Sequence, residues 1–208
     1  MTLDEALSEC PAIAIIRGVT PGEAIATVNA LFRAGIRGVE VPLNSPDPFA
    51  SIEALVETFK GQMAVGAGTV LTTEKAEKVH AVGGTLVVSP NTNPSVIRRS
   101  IALGLDPIPG FATATDAFAA IEAGARHLKL FPASTYGAGH VKQLKAVLPP
   151  TVVVWAVGGV AATDFYAWWS AGVRAFGVGS ELYKPGQPAD VTYDKAMRIV
   201  EAARKLPR

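Results

Sequence analysis

Short β-branched runs alternate with longer alanine-rich stretches along the whole chain, and the two kinds of stretch carry different periods. The short runs at Ala12–Arg17, Gly38–Leu43, Met63–Gly68, Thr85–Ser89, Asp106–Pro109, His127–Phe131, Val152–Val157 and Ala175–Val178 read as strands. Between them, helical spacing predicts helices near 21–34, 48–59, 73–82, 94–103, 114–123, 138–148 and 162–171, with a last one near 190–205. One helix follows each strand, which is the order of a parallel sheet assembled from βα units.

The residues that punctuate these stretches agree with the periods. Thr20 before Pro21 and Ser45 before Pro46 offer a cap and a fixed φ, and Thr72 and Thr113 lead short polar openings. Helix ends recur as AG or VG, as at Ala34-Gly35 and Ala171-Gly172. An open doubly wound sheet of eight strands should carry a GxGxxG turn after its first strand, and Arg17-Gly18-Val19 offers none. The expected fold is therefore a closed (β/α)8 TIM barrel.

Composition narrows the setting. At 208 residues and 49% hydrophobic content the chain can fill one core, so residues 1–208 are expected to form a single barrel domain. A net charge of +1, with acids and bases mixed throughout, points to no nucleic acid and no membrane surface. The stretch MTLDEALSEC is acidic and lacks an apolar run, so no secretory signal is expected. Val152–Ala162, the most apolar segment, is far too short to span a bilayer. A lone cysteine, Cys10, excludes an internal disulfide framework and suits a reducing, cytoplasmic setting. The expected partner is a small molecule.

In such a barrel the chemistry belongs at the C-terminal ends of the strands, where Arg17, Glu40 and Lys129 stand out. Side chains alternate along a strand, so Leu128 and Leu130 take the helix-facing side and His127, Lys129 and Phe131 the interior. The same parity sends Glu40 inward between Val39 and Val41. A structural ion pair is one reading of these two charges, but buried pairs repay their desolvation poorly where aliphatic residues would serve. Reactivity supplies a reason. Desolvation lowers a lysine's pKa and frees the amine to attack a carbonyl, and the protonated imine then drains electrons from a breaking C3–C4 bond of a 2-keto acid. Glu40 is placed to take the C4 hydroxyl proton, directly or through a water. Arg17 would hold the substrate carboxylate, although alone it reads equally as a salt bridge at the rim.

Two glycine motifs, AVGGV at Ala156–Val160 and GVGS at Gly177–Ser180, fall where the last two barrel strands end. Backbone N–H groups there can approach an anion, and together the motifs favour a phosphorylated ligand over plain turns. His80 and His140 fall on helices and His127 has no partner at metal-ligand spacing, so no metal site is expected. His127 reads as a hydrogen-bonded core residue. The aromatic cluster Phe165-Tyr166 with Trp168-Trp169 reads as helix packing or a subunit contact.

With these residues in hand, the chain resembles the 2-keto-3-deoxy-6-phosphogluconate and 2-keto-3-deoxy-6-phosphogalactonate aldolases, class I enzymes on a (β/α)8 barrel. The likeness runs in order through AIIRG, VEVPLNSP, VGAGTV, VVSPN, PGFATATDAF, LKLFPA, AVGGV and GVGSELY. It implies Lys129 as the Schiff-base lysine, Glu40 as the general acid/base, and Arg17 and Thr69 as holders of the pyruvate moiety. It further implies Pro90 and Phe131 as pocket walls and Gly158, Gly159 and Ser180 as the phosphate site. Family members are usually homotrimers that need no metal or other cofactor. Gluconate-type enzymes often read EVTLRT and PTGG where this chain reads EVPLNS and AVGG, and both departures resemble the galactonate type. Val157 in place of a threonine removes a possible hydrogen bond to the C4 hydroxyl. The expected reaction is cleavage of 2-keto-3-deoxy-6-phosphogalactonate to pyruvate and D-glyceraldehyde 3-phosphate. The alternatives are the gluconate epimer, with or without 4-hydroxy-2-oxoglutarate, a sugar-phosphate isomerase or epimerase, and a non-catalytic sugar-phosphate binder.

Overall fold

Strands form where the chain is buried throughout: every residue of Gly38–Pro42, Ala64–Gly68, His127–Leu130 and Ala175–Val178 is out of solvent. Such runs suit a parallel wall covered on both faces. The structure, a computed structural model, describes residues 1–207. Its strands are β1 (Ala12–Ile15), β2 (Gly38–Pro42), β3 (Ala64–Gly68), β4 (Leu86–Val88), β5 (Asp106–Ile108), β6 (Gly110–Phe111), β7 (His127–Leu130), β8 (Val153–Val157) and β9 (Ala175–Val178). Its helices are α1 (Leu3–Glu9), α2 (Pro21–Ala34), α3 (Pro48–Thr58), α4 (Thr73–Ala81), α5 (Pro94–Ala102), α6 (Ala114–Glu122), α7 (Ala133–Leu144), α8 (Phe165–Ser170) and α9 (Ala189–Arg204).

The sheet runs β5-β4-β3-β2-β1-β9-β8-β7-β6, and its two ends are the halves of one barrel strand interrupted at Pro109. Proline has no N–H for a ladder, so the strand is read as two pieces there. The ring closes across that break, with Lys129 N–H donating to Pro109 O at 2.9 Å and Phe131 N–H to Phe111 O at 3.2 Å. The eight expected strand positions and the closed barrel are thus present.

Two apolar layers follow from the alternation. Ile13, Ala64, Leu86, Ile108, Trp155 and Ala175 fill the interior, and Leu128, Leu130, Val39 and Val41 join the shell between barrel and helices. Below Lys129, His127 Nδ1 accepts from Trp155 Nε1 at 3.1 Å, and its Nε2 lies 3.4 Å from Asp4 Oδ1. Burial lowers the His127 pKa, and Asp4 opposes that shift. This is the hydrogen-bonded core residue expected from sequence.

Several local expectations need correction. Helix α1 was not foreseen; Thr2 and Glu5 cap it reciprocally, and Leu3 and Ala6 stopper the N-terminal mouth of the barrel. Ser45 does not open α3. That helix begins at Pro48 behind Asp47, and the buried Ser45 hydroxyl instead accepts from Gly18 N–H at 2.9 Å, tying together the loops after β1 and β2. Helix α7 starts at Ala133, directly after its strand, and breaks at Gly137 (φ 75°) before continuing. A 3₁₀ turn over Ala162–Asp164 precedes α8. In α8 the tryptophans pack against the shell and Phe165 stacks on Phe176 at 3.8 Å, which leaves only Tyr166 of that cluster well exposed, at 66%. Among the described residues no helix is long and apolar enough to cross a membrane.

Candidate active site

The open mouth of the barrel holds a cavity of about 430 Å³, and all ten residues singled out from the sequence line it. They come from two walls. Glu40 lies within β2 and Arg17, Thr69 and Pro90 follow β1, β3 and β4, whereas Lys129, Phe131, Val157, Gly158, Gly159 and Ser180 come from β7 to β9 and their loops. In the ring order β2 and β7 are four positions apart, so Glu40 and Lys129 face each other across the barrel.

Parity sends both side chains inward, and both are nearly sealed from solvent: Lys129 is 5% exposed and Glu40 2%. Gly68, beside Glu40 on β3, leaves the space that the carboxyl occupies; a methyl group there would overlap it. No ion pair closes between Lys129 and Glu40 among the described residues. Glu40 Oε2 has no hydrogen-bond partner, and the Lys129 amine lies 4.8 Å from the Phe131 ring centroid. A buried oxygen left so costs about 1–3 kcal/mol, which an aliphatic core would avoid.

Burial dominates the titration of both groups. It pushes Glu40 up to about 7 against the opposing pull of Lys129 and Arg17. It brings Lys129 down to about 8, with Glu40 opposing and Arg17 assisting. Each group is thereby drawn toward its neutral form, the state in which a lysine is a nucleophile and a carboxyl can donate a proton. Adduct formation with a keto acid should accelerate as pH rises through about 8 and level off above it, read from the rate of trapping by borohydride. A plateau delayed to pH ~10 would mean an ordinary solvated amine.

Arg17 lies two residues beyond β1, exposed, rather than within the strand. Its Nη1 donates to Asn44 Oδ1 and, at 3.5 Å, to Thr69 Oγ1. Among the described residues no carboxylate pairs with it, and its partners are the neutral groups of Asn44 and Thr69 instead of a rim salt bridge. Thr69 takes φ 59°, a left-handed conformation rare for a β-branched residue, so its hydroxyl is held at the cavity by strained backbone.

At the far wall, Gly158 (φ 94°) and Gly159 (φ 69°) turn the chain sharply after β8. A Cβ on Gly159 would sit 2.6 Å from Ser134 Oγ, so only glycine fits without displacement. The N–H groups of Gly159, Val160, Ser180 and Glu181 donate to no other described protein group, a set of free donors at one end of the cavity. Such a set can hold an anion.

Sequence reasoning missed four residues that belong here. Asn44 orients Arg17, and Glu181, Tyr183 and Lys184 line the cavity from the loop after β9. Asn44, Glu181 and Tyr183 stood inside motifs already noted, VEVPLNSP and GVGSELY, but no periodicity singled them out from their neighbours. Among the described residues no group of three or more His, Cys, Asp or Glu side chains is arranged to hold a metal ion.

Comparison with known proteins gives this geometry a lineage. Residues 3–199 match the family described as "Aldolase: KDPG and KHG aldolase". The 2-dehydro-3-deoxy-6-phosphogalactonate aldolase of Escherichia coli (strain K12) is 46% identical over 198 residues, covering 95% of this chain and 97% of that protein. A solved structure described as "Native KDPGal structure" superposes with a TM-score of 0.92 at 46% identity, over 94% of this chain and 95% of the other. The KDPG aldolase from Legionella pneumophila, solved with pyruvate captured at low pH as a covalent carbinolamine intermediate, gives a TM-score of 0.81 at 25% identity over 98% and 97%. On a family match spanning nearly the whole chain, with the lysine, the carboxyl and the glycine-rich loops gathered in one barrel mouth, the chain belongs to the KDPG and KHG aldolase family.

Proposed function

We propose that this chain cleaves 2-dehydro-3-deoxy-6-phosphogalactonate to pyruvate and D-glyceraldehyde 3-phosphate through an imine on Lys129. The observation that carries the reading is an amine buried at the barrel mouth, without a counter-ion in contact, facing a buried carboxyl with an unpartnered oxygen. The Lys129 amine adds to the C2 carbonyl to form a carbinolamine, and loss of water gives the imine. Its protonated nitrogen accepts the electron pair of the breaking C3–C4 bond as Glu40 takes the C4 hydroxyl proton. Glyceraldehyde 3-phosphate leaves, the enamine is protonated at C3, and hydrolysis returns the amine and pyruvate. Arg17 and Thr69 would hold the carboxylate end, Pro90 and Phe131 the flat imine between them, and Gly158, Gly159 and Ser180 the phosphate. The chemistry as drawn uses only the chain's own amine and carboxyl. The carbinolamine captured in the Legionella relative supports the covalent step. Borohydride reduction with pyruvate, followed by peptide mass spectrometry, should place the adduct on Lys129; no adduct there would sink the reading.

The galactonate epimer is favoured by 46% identity to the Escherichia coli enzyme and by Val157, whose apolar side chain lines the cavity. Val157→Thr offers a hydroxyl to the C4 oxygen and should shift the ratio of kcat/KM for the two epimers toward the gluconate by up to about tenfold. An unchanged ratio would remove Val157 from epimer choice.

We further propose one domain, a cytoplasmic location and a homotrimer. Exposed Ile101, Phe118 and Tyr136 on the successive helices α5, α6 and α7 support association. Light scattering should give three times the 21.6 kDa chain mass, and a monomer would refute the trimer.

A further inference from the structure

A second cavity, of about 350 Å³, lies between the loop that follows β9 and helix α9, on the outer side of the anion-binding loops. Ser180, Glu181 and Lys184 border both cavities, and Lys195 and Arg198 of α9 complete the second one. Three cations therefore converge on one concavity against a single carboxylate. None of the three makes an ion pair among the described residues; the pairs found are Arg37–Glu9, Arg99–Glu77 and His127–Asp4.

Lys195 is held in place by a neutral group. Its amine donates to Gln187 Oε1 at 2.8 Å, and Gln187 Nε2 donates to Leu182 O at 3.0 Å and Thr192 Oγ1 at 2.8 Å. One N–H of the ammonium is thus spent on the loop and two remain, while Arg198 makes no side-chain hydrogen bond at all among the described residues. Like charges held around a hollow repel one another, and an anion bridging them relieves that repulsion and gains charge-assisted hydrogen bonds. Since Ser180, Glu181 and Lys184 face both cavities, an anion in the outer one also bears on the loop that frames the inner one.

We propose that this cleft is a second anion-binding site, taking a phosphate dianion on Lys184, Lys195 and Arg198, on the opposite side of the β9 loop from the cavity that would receive the substrate's phosphate. The proposal leans on that reading only for the word "second", and the test keeps the two apart. Calorimetric titration of the full chain with inorganic phosphate should reveal two binding events in the wild type. Lys195→Ala/Arg198→Ala should weaken one of them by at least about 10-fold and leave KM for the phosphorylated substrate unchanged. Gly159→Ala should weaken the other and raise that KM. Lys195→Gln/Arg198→Gln, which keeps the helix's polar surface, guards against a folding artefact. Glycerol 3-phosphate in place of inorganic phosphate decides the source: tighter binding assigns the cleft to phosphomonoesters, weaker binding to the free ion. Wild-type phosphate binding in both double variants would overturn the proposal, as would a KM that rises in step with lost phosphate binding, which would make the cleft part of the substrate site. If Gly159→Ala changes nothing while the double variants lose phosphate, the substrate-phosphate reading fails and the cleft stands.

Discussion

Exchanging Lys129 for methionine abolishes carbon–carbon cleavage, by at least about 10⁴-fold in kcat/KM, while the protein melts at the same temperature or higher. Both halves follow from the same placement. Without this amine no imine forms opposite Glu40, and the other amine bordering the cavity, Lys184, is exposed on the loop after β9 rather than buried in the barrel. Methionine has a similar length and no charge to desolvate, so it fills the barrel interior that Lys129 occupies at a penalty. Lys129→Arg should be equally inactive, because a guanidinium keeps its proton and forms no comparable imine. Turnover within tenfold of wild type in either variant would dismiss the covalent mechanism. Inactivity with a collapsed melting temperature would instead make Lys129 a structural residue, so the two measurements are needed together.

Glu40→Gln separates adduct formation from cleavage. The amide cannot take the C4 proton, so cleavage should slow by about 10²- to 10⁴-fold, while borohydride still traps pyruvate on Lys129. A second consequence tests the electrostatics. Glu40 raises the Lys129 pKa against the lowering effect of burial, so its removal should move the pH dependence of trapping toward lower pH. Near wild-type cleavage would hand the proton transfer to another group. A trapping profile shifted upward would contradict the pairing of these two residues across the barrel.

Much of this site could be read from the sequence because a barrel strand imposes a simple parity. Once His127–Phe131 is a strand, two leucines on one side leave Lys129 nowhere but the interior, and the structure agrees. The same rule placed Glu40, and the position of AVGGV after an expected strand brought Gly158 and Gly159 to the cavity. What escaped lay where local pattern carries no period. Helix α1 is only seven residues long, and its two buried positions, Leu3 and Ala6, are too few to register as a stripe; capping and contact with the barrel floor hold it. The start of α3 was placed correctly at residue 48, but its cap was not: Ser45 and Pro46 imitate one, while the tertiary bond from Gly18 claims Ser45 and Asp47 precedes the helix. Asn44 reaches Arg17, and Lys184 the cavity, through loop paths that only the folded chain defines. Trp168 and Trp169 were read as packing or an interface, and the shell takes them both.

The arrangement of the two walls has a consequence for the chain before it is finished. Arg17, Glu40, Thr69 and Pro90 come from its first half and Lys129 onward from its second, and burial in the closed barrel, the largest cause of the lowered Lys129 pKa, needs both. In an unfolded chain Lys129 has the ordinary lysine pKa of about 10.4, and fewer than about one molecule in a thousand presents a free amine at neutral pH. Closure of the barrel raises that share to about one in ten, given a pKa of about 8. The free amine is therefore on the order of a hundredfold scarcer before the last strand joins the first than it is afterwards.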